Sequence, residues 1–161
     1  MSEVLSRFVS NTISHGASSS TTSTKTSRIT FENDVKVTNV QITYSYNQSG
    51  YSGGNGSTLD STLNFYDKNN VLLHTIIPQA IHNTEHNVDV SKSYNVKVDI
   101  KNVRYITLVS TGKNSGGHCS HTAIISYIND FTSEMIKKAV LDTIKSNELF
   151  KRIITAKIEE E

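Results

Sequence analysis

The sequence predicts a mainly β protein, a jelly roll or β-sandwich of about eight short strands, with a short helix before it and amphipathic helices after it. Two observations lead to this class. Apolar and polar residues alternate with a period of two over most of residues 28–130, as the two faces of a strand require. Helical spacing of apolar residues appears only near the two ends of the chain, so no helix is expected between the strands.

Composition excludes several classes of protein. The 161 residues suffice for one ordinary domain, and a net charge of +1 argues against a nucleic-acid partner. No apolar run approaches the roughly 20 residues of a membrane span. Cys119 is the single cysteine, so no internal disulfide is expected, and no motif calls for a cofactor. The start of the chain lacks the pattern of a secretory signal, which predicts synthesis in the cytoplasm and is compatible with a virion or extracellular location after lysis.

The N-terminal segment is expected to be helical. Val4, Leu5, Phe8, Val9 and Ile13 recur at i, i+3 and i+4, which is typical of a short amphipathic helix over residues 1–16. The Ser/Thr-rich residues 17–27 contain too little apolar surface to offset their ordering entropy. They are therefore predicted to be a flexible linker arm.

Residues 28–130 are predicted to form the sandwich. The clearest alternation runs through Tyr94–Ile100, and a second runs through Val40–Tyr46. Turns are expected at residues 67–70 and 101–102, which are rich in Asn, Asp and Lys. Further strands are predicted around Ile29–Phe31, Leu63–Phe65, Val71–Ile77, Val103–Val109 and Thr122–Ile128.

Residues 131–161 return to a helical pattern. Burying one of their large apolar side chains gains roughly 1.5–3 kcal/mol, so a stripe of them requires a partner surface. We expect the stripe to face other copies of the chain in a homo-oligomer or larger assembly. The predicted assembly residues are Ile136, Val140, Ile144, Phe150, Ile153 and Ile154.

Four histidines form the candidate metal ligands. His82 and His86 match the H-x-x-E-H pattern of inverted zinc peptidases, but that chemistry needs a well-formed helix, and the space between the flanking strands is short. His118 and His121 could complete a four-imidazole site if the two loops met. The alternative is that all four are solvated loop histidines.

A glycine-rich stretch at residues 51–56 lacks the Lys-Ser/Thr pair of a phosphate-binding loop. Tyrosine rings and amides near it are of the kind that stack on sugars and hydrogen-bond their hydroxyls. The candidate ligand-binding residues are Tyr46, Tyr51 and Asn55, with ordinary strand tyrosines as the alternative interpretation.

The order of the later strands resembles a known family. A strand, turn and strand at residues 64–74 precede a V-x-V-x-I strand and a V-x-x-I-x-L strand within residues 94–110. A glycine-rich loop at 112–117 and a final strand at 122–127 follow. This order resembles the galactose-binding-like β-sandwiches, and among them bacterial carbohydrate-binding modules. The resemblance implies a non-enzymatic sandwich with its ligand surface on loops at one end, although the Trp common after the loop is missing.

The function expected from the sequence is structural. We expect a non-enzymatic β-sandwich head held by terminal helices in a virion, phage, fibre or decoration assembly. A soluble, lectin-like carbohydrate-binding module is the alternative, with a glycan as its ligand. A zinc-dependent hydrolase is the remote alternative, kept for the His82–His86 motif alone.

Overall fold

The computed structural model describes residues 3–15, 21–48, 56–85, 87–114, 116–129 and 133–147. The chain divides into two compact units, Met1–Asp130 and Phe131–Glu161. The described part of the first unit holds seven antiparallel strands, and that of the second unit holds helix α1 (Ser133–Ser146). The strands are β1 (Leu5–His15), β2 (Ser23–Gln48), β3 (Ser57–Tyr66), β4 (Leu72–Ile76), β5 (Ile81–Asn83), β6 (Val88–Lys113) and β7 (Gly117–Asn129).

Strands β2 and β6 are each 26 residues long and bend in the middle. Residues 23–30 of β2 pair with residues 105–112 of β6, and residues 35–48 pair with residues 88–103. The register shifts between these two stretches, and Asn102 adopts a left-handed φ of 59° there. Irregular pairing of this kind sharpens the bend of a strand. Each of the two strands therefore has one half in one layer of the sandwich and its other half in the second layer.

The layers differ in their other strands. Layer A consists of β4, β3, the second half of β6 and the first half of β2, with β5 also pairing with β3. Layer B consists of the first half of β6, the second half of β2, then β7 and β1. Every neighbouring pair is antiparallel, which suits a sandwich with one wet face on each layer.

The main core lies between the layers. Leu63 and Phe65 of layer A are fully buried in one cluster with Val40, Ile42 and Ile125 of layer B. The alternation along β3, in which every second residue is buried, shows why these positions are apolar. The predicted β-sandwich is thus confirmed, while membership of the galactose-binding-like family stays a prediction.

The predicted N-terminal helix is wrong, because the segment forms strand β1. Each residue from Leu5 to His15 pairs with one on β7. Val9, Asn11 and Ile13 are buried, whereas the Phe8 side chain is 72% exposed. The buried positions therefore follow a period of two. Because the middle one, Asn11, is polar, the apolar residues alone do not alternate, and their helical spacing is a coincidence.

The predicted linker and strand count also need correction. Residues 23–27, expected to be a flexible arm, form the start of β2 and pair with β6. The turn expected at residues 101–102 is the bend inside β6. The bend joins two predicted strands into β6, and β2 likewise spans two, while β1 and β5 were not among the predicted strands. The described residues therefore contain seven strands rather than about eight. The turn at residues 67–70 is present, and the Asp67 carboxylate accepts from the Asn69 and Val71 N–H groups.

Helix α1 lies in the first part of the predicted helical tail, and the second helix predicted there, with Phe150, Ile153 and Ile154, lies outside the described residues. Its 14 residues include Lys145 in the last turn, where a cation complements the helix dipole. Among the described residues, no helix has the length and hydropathy that a membrane span requires.

Candidate functional site

A chain of buried polar side chains crosses the sandwich from layer B to layer A. The His121 ring, 1% exposed, lies with Nδ1 2.6 Å from the Ser61 hydroxyl and Nε2 2.8 Å from the Gln79 carbonyl oxygen. The Ser61 hydroxyl lies 2.7 Å from that of Ser110, and the Asn11 amide nitrogen donates to Ser110 Oγ over 3.1 Å. Four strands, β7, β3, β6 and β1, are tied together by this chain.

The direction of these hydrogen bonds follows from one carbonyl. Gln79 O only accepts, so His121 Nε2 carries the proton and Nδ1 accepts from the Ser61 hydroxyl. Ser61 then accepts from Ser110, which accepts in turn from Asn11. Every member is satisfied only while the imidazole is neutral.

Burial shifts the pKa of two groups in this interior. Desolvation lowers the pKa of His121, although the Gln79 carbonyl and the charge of Asp60 act in the opposite direction. Desolvation raises the pKa of the Cys119 thiol to about 11, against a smaller lowering from Asn114. The buried Ser61–His121 pair has the composition of a nucleophile and its base, but the fold uses both side chains to join the layers.

Side-chain hydrogen bonds also form a seam along the side of the sandwich where β1 lies beside residues 23–30 of β2. The Ser27 hydroxyl donates to Ser10 O over 2.9 Å, and the Lys25 ammonium donates to Thr12 O. In the other direction, Arg7 Nη1 donates to Thr30 O over 2.7 Å, and the Asn11 amide nitrogen lies 3.1 Å from Lys25 O. These bonds satisfy strand-edge carbonyls that would otherwise attract another strand.

Two shallow cavities of about 470 Å³ each lie at the end of this seam and share Arg7 and Thr30. The Arg7 guanidinium lies 5.9 Å from the centre of the Phe31 ring, and Phe31 packs against Tyr127 with ring centroids 4.8 Å apart. Because Arg7 already bonds Thr30 and covers Phe31, we interpret the cavities as the open end of the seam.

A second buried polar cluster lies where β2 ends and β3 begins. Asn114 donates to the Ser57 hydroxyl over 2.7 Å, and Asn83 donates to Gln48 Oε1 over 3.2 Å. Gln48 Nε2 and Asn114 Oδ1 have no hydrogen-bond partner among the described residues.

The three described histidines of the predicted metal site do not lie on one surface. His118 and His121 are three residues apart on β7 and face opposite sides, the first exposed and the second buried. The exposed His82 lies 3.7 Å from Asp60 on the outside of layer A, and His86 lies outside the described residues. Within the described ranges, no group of three or more His, Cys, Asp or Glu side chains could hold a metal ion.

The expected ligand residues are only partly described. Tyr46 is half-buried and packs against the cluster formed by Ile13, Tyr44, Leu59, Ile81 and Cys119. Tyr51 and Asn55 lie outside the described residues. Tyr46 thus contributes to the interior, and its role in glycan binding stays a prediction.

The predicted assembly residues on α1 carry exposed apolar surface. Ile136 is 54% exposed and Val140 52%, while Ile144 is half-buried. Leu141, which is not among the predicted assembly residues, is 49% exposed. A helix positions these side chains on adjoining turns, so they form one apolar face.

The interior polar residues were missed because Ser and Asn ordinarily face water. One signal was present in the sequence. Ser57 and Ser61 occupy the same alternating positions of β3 as Leu59 and Leu63, which predicts inward-facing hydroxyls. Inward hydroxyls require partners, and these come from strands distant in sequence.

No protein-family model and no curated protein matches this chain. Among solved structures, the chain is similar to the infectious bursal disease virus Gx strain structure, with 14% identity and a TM-score of 0.45 over 83% of this chain and 33% of that one. The VP2 subviral particle of infectious bursal disease virus gives 13% identity and a TM-score of 0.47 over 79% and 32%. An isomalto-dextranase of Arthrobacter globiformis T6, complexed with panose, gives 11% and 0.34 over 67% and 17%. The chain spans about a third of the two viral chains, and these similarities are too distant to assign a function.

Proposed function

We propose that this protein is a non-catalytic structural module whose β-sandwich is a rigid head and whose helix α1 docks onto other copies in a larger assembly. The exposed apolar face of α1, formed by Ile136, Val140 and Leu141, carries this proposal. A helix of 14 residues is marginal alone in water, so most of its stability must come from packing that apolar face.

The sandwich supports the structural half of the proposal. The groups best suited to chemistry, Ser61 and His121, are buried in a chain that ties four strands together. Cys119 is buried as well, with a raised pKa that opposes formation of the reactive thiolate. Components of a virion, fibre or decoration assembly require such a rigid head and a docking element, and we propose this setting.

The test is the native mass of the full chain. Val140→Lys places a charge on the apolar face, so the oligomer should dissociate, because an unpaired charge in a dry interface is strongly unfavourable. Ser146→Lys is the matched control, since it adds the same charge on another side of α1 and should retain the oligomer. Sedimentation velocity measures the mass, and circular dichroism checks folding.

Two results would contradict the proposal. One is a wild-type chain that stays monomeric at every concentration. The other is a Val140→Lys variant that sediments as the wild type does.

A further inference from the structure

We infer that the outward side of layer B is a second contact surface, which binds the same surface of another copy of this chain. This hydroxyl face consists of four rows of residues that lie directly opposite one another across β1, β7, β2 and β6. None of these residues is buried. The rows are Ser6–Ser126–Asn39–Lys97, Phe8–Ile124–Gln41–Asn95, Ser10–Thr122–Thr43–Ser93 and Thr12–Ser120–Ser45–Ser91.

The hydroxyl face is almost uncharged. Lys97, at one corner, is the single charged residue in its four rows, although the chain carries 16 basic and 15 acidic residues. Depletion of charge distinguishes the centre of a protein interface from ordinary surface. A neutral face meets its own copy without like-charge repulsion, whereas a strongly charged partner would find no complement there.

Six of the ten hydroxyl groups of this face already hydrogen-bond one another in pairs. Ser10 pairs with Thr122 at 2.8 Å, Ser45 with Ser120 at 2.7 Å and Thr43 with Ser93 at 2.5 Å. Burying a polar group costs free energy mainly when it is left without a partner. The face therefore loses less on contact with a protein surface than a face of hydrated side chains would.

An apolar pair lies within these hydroxyl rows. Phe8 and Ile124 are directly opposite each other on β1 and β7, with 72% and 38% of their surfaces exposed. Apart from Lys97 at one corner, the rows on both sides have short side chains, so a second surface can approach closely. Ile124 lies on an inner strand of the face and Phe8 on its edge strand β1, and apolar residues surrounded by polar ones usually dominate binding.

The area of the face fits a weak, symmetric contact. Neighbouring strands lie about 4.8 Å apart and successive outward residues about 6.7 Å apart, so four rows of four cover about 500 Å² per copy. Two copies would bury about 1,000 Å², at the lower limit for a specific interface. A two-fold axis is the natural symmetry, since each copy offers the same surface.

Disulfide trapping in the full chain tests this contact. Gln41→Cys and Ile124→Cys place a thiol at the centre of the face, while native Cys119 is buried. We expect either variant to form a covalent dimer under mild oxidation with diamide. Thr62→Cys, on the outer side of layer A, is the control and should remain monomeric on a non-reducing gel. Equal trapping of all three thiols, or none at positions 41 and 124, would overturn the inference.

A second variant separates this contact from the one proposed for α1. Gln41→Glu combined with Ile124→Glu places like charges against each other across the two-fold axis. We therefore expect the dissociation constant for self-association through this face to rise at least tenfold, both in the wild-type chain and in the Val140→Lys variant. Thr62→Glu is the control, and circular dichroism confirms folding. If the doubly substituted chain associates as strongly as before, the hydroxyl face is not a contact between copies. The same conclusion follows if the face binds members of a glycan panel and not a second copy, and neither result depends on the outcome of the α1 test.

Discussion

His121 is a buried histidine that the fold holds in its neutral form. Its folded pKa is lowered, chiefly by desolvation, whereas an unfolded histidine titrates near 6.5. The unfolded chain therefore binds a proton that the folded chain resists. Stability is complete above the unfolded pKa and falls as the pH drops below it, levelling off below the folded pKa.

We predict that the free energy of unfolding falls between pH 7.5 and 5.5, by at most about 1.4 kcal/mol from this one group. Urea unfolding at the two pH values measures the change. His121→Gln should remove most of the difference, because Gln cannot be protonated. His118→Gln, at an exposed position of the same strand, should retain it, and a slope unaffected by His121→Gln would show that another group is responsible.

Asn11 joins β1 to the rest of the sandwich through a side chain that is 3% exposed. Its amide donates to Leu108 O over 2.7 Å and to Ser110 Oγ over 3.1 Å, and its carbonyl oxygen lies 2.6 Å from the Ser27 hydroxyl. Asn11→Ala removes these contacts and leaves the buried Leu108 carbonyl and Ser110 hydroxyl without the amide donor, so we expect a loss of roughly 1–3 kcal/mol. Asn129→Ala, at an exposed site outside the hydroxyl face, should change stability by less than about 0.5 kcal/mol, and equal losses in urea unfolding would refute the assignment.

At the scale of elements, β6 passes unusually close to β3 at Gly112. A Cβ built there would lie 2.0 Å from Thr58 O, a backbone atom that cannot move without shifting the strand pair. Gly112→Ala should therefore destabilise the sandwich by about 1–3 kcal/mol or more, seen as a lower melting temperature. Thr111→Ala, the exposed neighbour, is the control, and a melting temperature unchanged by Gly112→Ala would show that the pairing is looser than described.

The strands with regular alternation were predictable, and those that bury polar residues were not. Val40, Ile42, Leu63 and Phe65 face the core as their period of two predicts. The helix predicted over β1 was wrong because the inward-facing residue Asn11 is polar. The hydrogen-bond partners of Asn11, Leu108 and Ser110, lie almost a hundred residues away. No local pattern encodes such a pairing. The same reason applies to His121, whose partners Ser61 and Gln79 are also distant in sequence, so its burial was not predicted.

For the candidate site, the sequence was informative about α1 and uninformative about the hydroxyl face. Ile136 and Val140 were found because exposed apolar residues at helical spacing are conspicuous in a polar chain. The hydroxyl face depends on the registers of β1, β7, β2 and β6, which combine residues from the whole length of the sandwich. Ser and Thr residues on one strand resemble ordinary solvent-exposed residues until their neighbours across the sheet are known.

At the scale of the sandwich, the two layers share β2 and β6 and should unfold together. Cys119 reports on this, since its thiol is buried and its pKa is raised to about 11. We predict that labelling with a thiol reagent becomes fast at the same urea concentration at which circular dichroism records loss of the strands. Labelling at clearly lower urea would mean that β7 and β1 open before the rest.

The bent strand pair also has a mechanical consequence. Along β2 and β6, the hydrogen bonds run across the strands, as in any antiparallel pair, and they continue through both layers. A force applied along these strands would load many hydrogen bonds at once instead of peeling them apart one by one. In the proposed assembly, tension passed between neighbouring subunits along this direction would be carried by β2 and β6, with the core and the remaining strands holding them in register.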